Sequence, residues 1–159
     1  MRYAQMRTLD VSNGVGVGIA LFVQGCPFHC PGCFNQETWD FNGGMEWTQE
    51  LRDEFISLAD RPYIRRISFL GGEPMADENY EEVISIMKEL KQRHPDKQIW
   101  LYTGFDWDLL CSVRPEIKTV VDVVVAGPYI ERLKDVGNRI THWAGSTNQK
   151  VIYVGSENH

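Results

Sequence analysis

Five short apolar runs, Gly18–Val23, Ile64–Leu70, Gln98–Tyr102, Val120–Ala126 and Lys150–Val154, are spread along the chain, with helical patterns between the first three. Runs of this length rich in β-branched residues read as strands. Thr48 can cap a helix running through about Ala59, with Glu50 in the favourable first turn and Leu51, Phe55, Ile56 and Leu58 as its apolar stripe. A longer helix is predicted from about Asn79 to Arg93. Its Val83, Ile84, Met87 and Leu90 share one face opposite Glu81, Glu82, Lys88 and Lys91, and Pro95 stops it. Strands alternating with helices predict an α/β fold with a mostly parallel sheet, because parallel neighbours need a crossover connection. A complete eight-fold β/α barrel takes about 250 residues. A chain of 159 residues therefore has room for only a partial one.

No repeat, low-complexity tract or Pro/Ser-rich linker divides the sequence, and 43% hydrophobic with 24% charged residues suits one globular domain over 1–159. The formal charge of −6 leaves no basic stripe of the kind that binds a phosphate backbone, which argues against a nucleic-acid partner. The apolar runs are far shorter than the roughly 20 residues of a membrane-spanning helix. The opening residues, MRYAQMRTLD, lack the apolar core of a secretory signal, so the expected compartment is the cytoplasm.

Three of the four cysteines, Cys26, Cys30 and Cys33, form a C-x3-C-x2-C run directly after the first predicted strand, and Cys111 stands apart. Three clustered thiols and one distant thiol do not make a disulfide framework. A zinc knot could add His29, His142 or Cys111 as fourth ligand, although the usual C-x2-C pairs are missing. A thiol-redox reading takes Cys30-Pro31-Gly32-Cys33 as its motif and leaves Cys26 without a role. Cysteines packed as small hydrophobes fit poorly among Pro, Gly and His in a turn. An iron–sulfur cluster held by three thiolates would keep one coordination position open, and an open position can bind and activate a ligand.

In open α/β sheets ligands gather at the carboxyl ends of the strands. Here those ends lead into the cysteine loop, Gly71-Gly72-Glu73-Pro74, Thr103-Gly104-Phe105 and Gly127-Pro128-Tyr129. Adjacent glycines let backbone approach a ligand closely, and Glu73 adds an acceptor that suits an ammonium group. The ordinary alternative is a strand-to-loop turn with a solvated acid.

C-x3-C-x2-C after the first strand, followed about 40 residues later by GGEP after the next, resembles the radical S-adenosylmethionine (SAM) enzymes. The resemblance implies a partial (β/α) barrel of radical SAM type, a [4Fe-4S] cluster on Cys26, Cys30 and Cys33, and SAM on the open iron. It assigns Gly32, Cys33, Phe34, Gly71, Gly72, Glu73 and Thr103 to the SAM pocket, with Gly32 where the family often has an aromatic residue. It further implies that an electron from the reduced cluster cleaves SAM to methionine and a 5′-deoxyadenosyl radical that abstracts hydrogen.

Asn13-Gly14-Val15-Gly16, Phe22–Cys26, Cys30–Asn35, Thr38-Trp39, Trp100–Gly104, Val123–Ile130 and Gly145–Lys150 are similar to the glycyl-radical activating family that serves anaerobic ribonucleoside-triphosphate reductase. That resemblance implies a protein substrate, the large subunit of the reductase, from one of whose glycines hydrogen is taken, and an electron donor such as a flavodoxin. An activator of another glycyl-radical enzyme, or a small-molecule radical SAM enzyme of minimal length, is the neighbouring alternative. Two departures stand out: Gly18 occupies the place of a family arginine, and Lys150 replaces another, losing the guanidinium fork. The Gly145–Lys150 segment reads as a docking or positioning element. Most of the five tryptophans read as core residues, His29 as a loop or outer-sphere histidine, and Cys111 as packed.

Overall fold

The computed structural model describes residues 1–28, 36–128 and 148–154. Its strands are β1 (Arg2–Asp10), β2 (Gly18–Val23), β3 (Met45–Glu46), β4 (Arg66–Gly71), β5 (Gln98–Thr103), β6 (Val123–Ala126) and β7 (Lys150–Tyr153), and its helices are α1 (Gln49–Leu58), α2 (Asp77–Arg93) and α3 (Trp107–Val113). They form one mixed sheet in the order β3-β1-β2-β4-β5-β6-β7. The central strands β2, β4, β5 and β6 run parallel, and β1, β3 and β7 add antiparallel edges.

The parallel centre follows from the sequence alternation, whereas β1 was not legible from apolar content. Arg2, Gln5, Arg7 and Thr8 interrupt it, and it holds its place by pairing with β2, whose six residues are all buried. The two predicted helices form where expected, and α3 adds a third that the sequence reading did not assign. Thr48 Oγ accepts the Leu51 N–H at the start of α1, and Asp106 caps α3 by accepting the Leu109 N–H. α2 begins at Asp77, two residues before the predicted start at Asn79, with Asp77 and Glu78 at the positive end of the helix dipole.

Strand residues alternate between two cores, as a period of two requires. Ile19, Leu21 and Val23 of β2, Ile67 and Phe69 of β4, Ile99 and Leu101 of β5, and Val124 of β6 pack with the apolar faces of all three helices. Ala20, Phe22 and Leu70 form a smaller cluster on the opposite face. A side chain as completely buried as Phe55 contributes about 1.5–3 kcal/mol by leaving water.

That second face also carries a buried charge. Arg66 of β4 is fully enclosed, pairs with the Asp10 carboxylate at 3.0 Å and donates to the carbonyls of Asp10, Asn13, Val15 and Gly16. The β1–β2 connection therefore wraps a guanidinium. Gly14, at φ +141°, has no room for a Cβ, which would lie 2.3 Å from the Arg66 side chain. A Cβ on Gly18, where the family resemblance expects an arginine, would lie 2.4 Å from the Arg66 carbonyl oxygen and 2.9 Å from its guanidinium carbon.

Candidate functional site

Parallel pairing of β2 with β4 and of β4 with β5 delivers three loops to one edge of the sheet. The first is the base of the cysteine loop. Gly25 and Cys26 donate their N–H groups to the carbonyls of Thr38 and Trp39, at 2.6 and 3.1 Å, so the chain leaving β2 is tied to the chain returning from the cysteine loop. The Gln24 amide spans the same base and donates to the carbonyls of Glu37 and Asp40 at 3.1 and 2.9 Å. Cys26 is half-buried there. Cys30, Gly32, Cys33, Phe34 and His29 lie outside the described residues, as do His142 and Trp143.

The second loop is Gly71-Gly72-Glu73-Pro74. Gly72 donates to the Val23 carbonyl at 2.9 Å, and Glu73 N–H donates to the Gly25 carbonyl at 2.7 Å. A Cβ on Gly72 would lie 2.3 Å from that same Gly25 oxygen. Only glycine lets the two backbones come this close. The cysteine loop and the glycine turn thus meet one residue away from Cys26.

The third loop follows β5. Thr103 Oγ donates to Glu73 Oε2 at 2.7 Å and Gly104 N–H donates to Oε1 at 2.7 Å, while Met75 N–H donates to Oε2 at 3.0 Å. The Glu73 carboxyl is therefore held by three donors of its own chain. It is only 1% exposed, and burial pushes its pKa up to about 7 against the pull of those donors. Phe28, from within the cysteine loop, lies over Gly104 and meets the Phe105 ring edge-on at 5.0 Å.

The structure accordingly brings Cys26, Gly71, Gly72, Glu73 and Thr103 together at one edge. Among the described residues no group of three or more metal-binding side chains forms by itself. The thiolate donors gathered by the sequence on one loop, with that loop's base fixed beside the glycine turn, suit a soft-metal cluster that keeps an open position.

A family model described as a 4Fe-4S single cluster domain matches residues 12–152. Over 153 residues the chain is 39% identical to the anaerobic ribonucleoside-triphosphate reductase-activating protein of Vibrio cholerae, covering 95% of this chain and 97% of that one. The proteins of the same name from Salmonella typhimurium and Escherichia coli K12 are 35% and 34% identical over 156 residues, covering 97% of this chain and 99% of each relative. The chain belongs to the family of anaerobic ribonucleoside-triphosphate reductase-activating proteins. The iron–sulfur cluster of the matched domain fits the donor chemistry of the cysteine loop.

Cys111 and three of the tryptophans are packed, as the sequence reading expected. Cys111 sits half-buried on α3, packed against the main core. Trp47, Trp100 and Trp107 are buried. Of the Gly145–Lys150 segment, Asn148 and Gln149 donate to the carbonyls of Pro128 and Gly127, each at 2.9 Å, and so brace the exit of β6. Residues 145–147 lie outside the described residues. Sequence reasoning missed Gln24, Phe28 and Asn79 as parts of the site. A buried glutamine at the end of an all-apolar strand was the available signal for the first.

Proposed function

We propose that this chain is an iron–sulfur and SAM-dependent activating enzyme that removes a hydrogen atom from a glycine of anaerobic ribonucleoside-triphosphate reductase. Its single domain over 1–159 would be a partial (β/α) barrel of radical SAM type, working in the cytoplasm with an electron donor such as a flavodoxin. The observation that carries the reading is the 2.7 Å bond from Glu73 N–H to the Gly25 carbonyl, which seats the glycine turn beside the first cysteine.

Cys26, Cys30 and Cys33 would hold the cluster, and Gly32, Phe34, Gly71, Gly72 and Thr103 would line the SAM pocket. When bound, the reduced cluster and SAM would supply one-electron cleavage of a sulfur–carbon bond, the chemistry needed to take a hydrogen atom from a glycine. The chain's own part is orientation. With the Glu73 carboxyl committed to Met75, Thr103 and Gly104, the glycine turn offers backbone acceptors to an ammonium group, and Glu73 acts by fixing the turn. The edge-on Phe28–Phe105 pair would contribute an apolar wall between the cysteine loop and the β5 loop.

The experiment is anaerobic reconstitution with iron and sulfide, reduction in the presence of SAM, and assay for 5′-deoxyadenosine. Production that depends on the cluster supports the reading. Tight zinc binding with no iron uptake and no SAM cleavage overturns it.

A further inference from the structure

Asn79 lies in the first turn of α2, outside every motif of the sequence, and is 1% exposed. It does not cap its own helix with that side chain. The cap position is Ala76, which makes no side-chain bond, and the Asn79 backbone N–H is already bonded to the Ala76 carbonyl. Helical side chains lean toward the N-terminus, so the Asn79 carboxamide reaches back over the loops that precede the helix. Its Nδ2 donates to the Gln24 carbonyl at 3.1 Å and to the Glu73 carbonyl at 3.0 Å.

An amide nitrogen has two hydrogens, and each of these meets a carbonyl of a different loop. One belongs to the cysteine loop, two residues before Cys26, and the other to the glycine turn. Together with the Glu73 N–H bond to Gly25, this closes a clamp across the gap between the loops. Both partners are acceptors, so the position demands a side chain with two donors. Aspartate, with the same shape, would set oxygen against oxygen.

Resting on the functional reading above, we propose that Asn79 is a positioning residue that sets the spacing between the cysteine loop and the glycine turn, and thereby the affinity for SAM. Its carboxamide meets only the backbone carbonyls of the two loops, and it acts on the cofactor only through Gln24 and Glu73. Loss of an outer-sphere partner of this kind costs about 10- to 100-fold in comparable sites.

The test compares the reconstituted wild type with Asn79→Asp and Asn79→Ser, measuring iron per chain, melting temperature, the SAM dissociation constant, and the SAM-dependent change in the EPR signal of the reduced cluster. Ile86→Val, a core change on the same helix away from the loops, controls for general destabilisation. The expected result is wild-type iron content, SAM affinity at least tenfold weaker in Asn79→Asp with a diminished EPR response, and a smaller loss in Asn79→Ser, which keeps one donor. Ile86→Val should bind SAM normally. Affinity within twofold of wild type in both Asn79 variants overturns the proposal. So does loss of iron along with SAM, or an equal weakening in Ile86→Val. A wild type that holds iron and binds no SAM overturns the functional reading itself. Should Asn79→Asp fail to fold, Asn79→Ser decides.

Discussion

Cys26 and Cys111 are chemically the same residue in different surroundings. Cys26 lies three residues past the end of β2, beside a glycine turn, whereas Cys111 leans on the core from a helix. Cys26→Ala should therefore lose iron uptake and activity together, while Cys111→Ala should keep its iron, as metal analysis after anaerobic reconstitution will show. Glu73 makes a different kind of prediction. Its folded pKa of about 7 lies above the ordinary 4.5, so the folded chain holds that proton more tightly than the unfolded chain does. The stability this contributes is present at low pH and is lost as pH rises through 7. Between pH 6 and 8 the wild type should lose about 1 kcal/mol relative to Glu73→Gln, read from urea unfolding at each pH. A slope of opposite sign would mean that the three donors outweigh burial.

Among the elements, the β1–β2 connection is organised by a single side chain from β4. Burial alone would raise the Asp10 pKa, yet Arg66, Asn13 and Arg7 together hold it below its ordinary value. Removing one member of a buried pair leaves the other charged and unsolvated. Arg66→Met should consequently cost about 3–5 kcal/mol, measured as a fall in the urea midpoint. The exposed Lys88–Glu116 pair offers the contrast, since Lys88→Ala should change stability by less than about 1 kcal/mol. The two longer helices were legible because cap and apolar stripe are local signals, as at Thr48, whereas α3 has only seven residues and its Asp106 cap emerged with the structure. β1 was hidden for the opposite reason: its polar residues belong in a strand only because β2 lies beside it.

For the whole molecule, the parallel centre of the sheet places three chemically distinct loops at one edge. A minimal domain acting on a large protein partner should leave its product on that partner. Incubation of the reduced, SAM-loaded chain with the reductase large subunit should give a glycyl-radical EPR signal that stays with the reductase after the two are separated. A signal that stays with this chain would contradict the assignment of substrate.

The donor chemistry was decided by sequence alone. C-x3-C-x2-C and GGEP are local words, and their order along a strand–helix alternation already requires that they meet at the carboxyl edge of neighbouring strands. Only the tertiary structure decided what each side chain does once there. It buried the Glu73 carboxyl among donors from its own turn and the end of β5, set Asn79 across the gap to Gln24, and put Arg66 inside the β1–β2 connection. Those partners lie 30 to 56 residues apart in the chain. A hydrogen bond between distant residues leaves no trace in local spacing, because its geometry exists only after the sheet has brought the two backbones together.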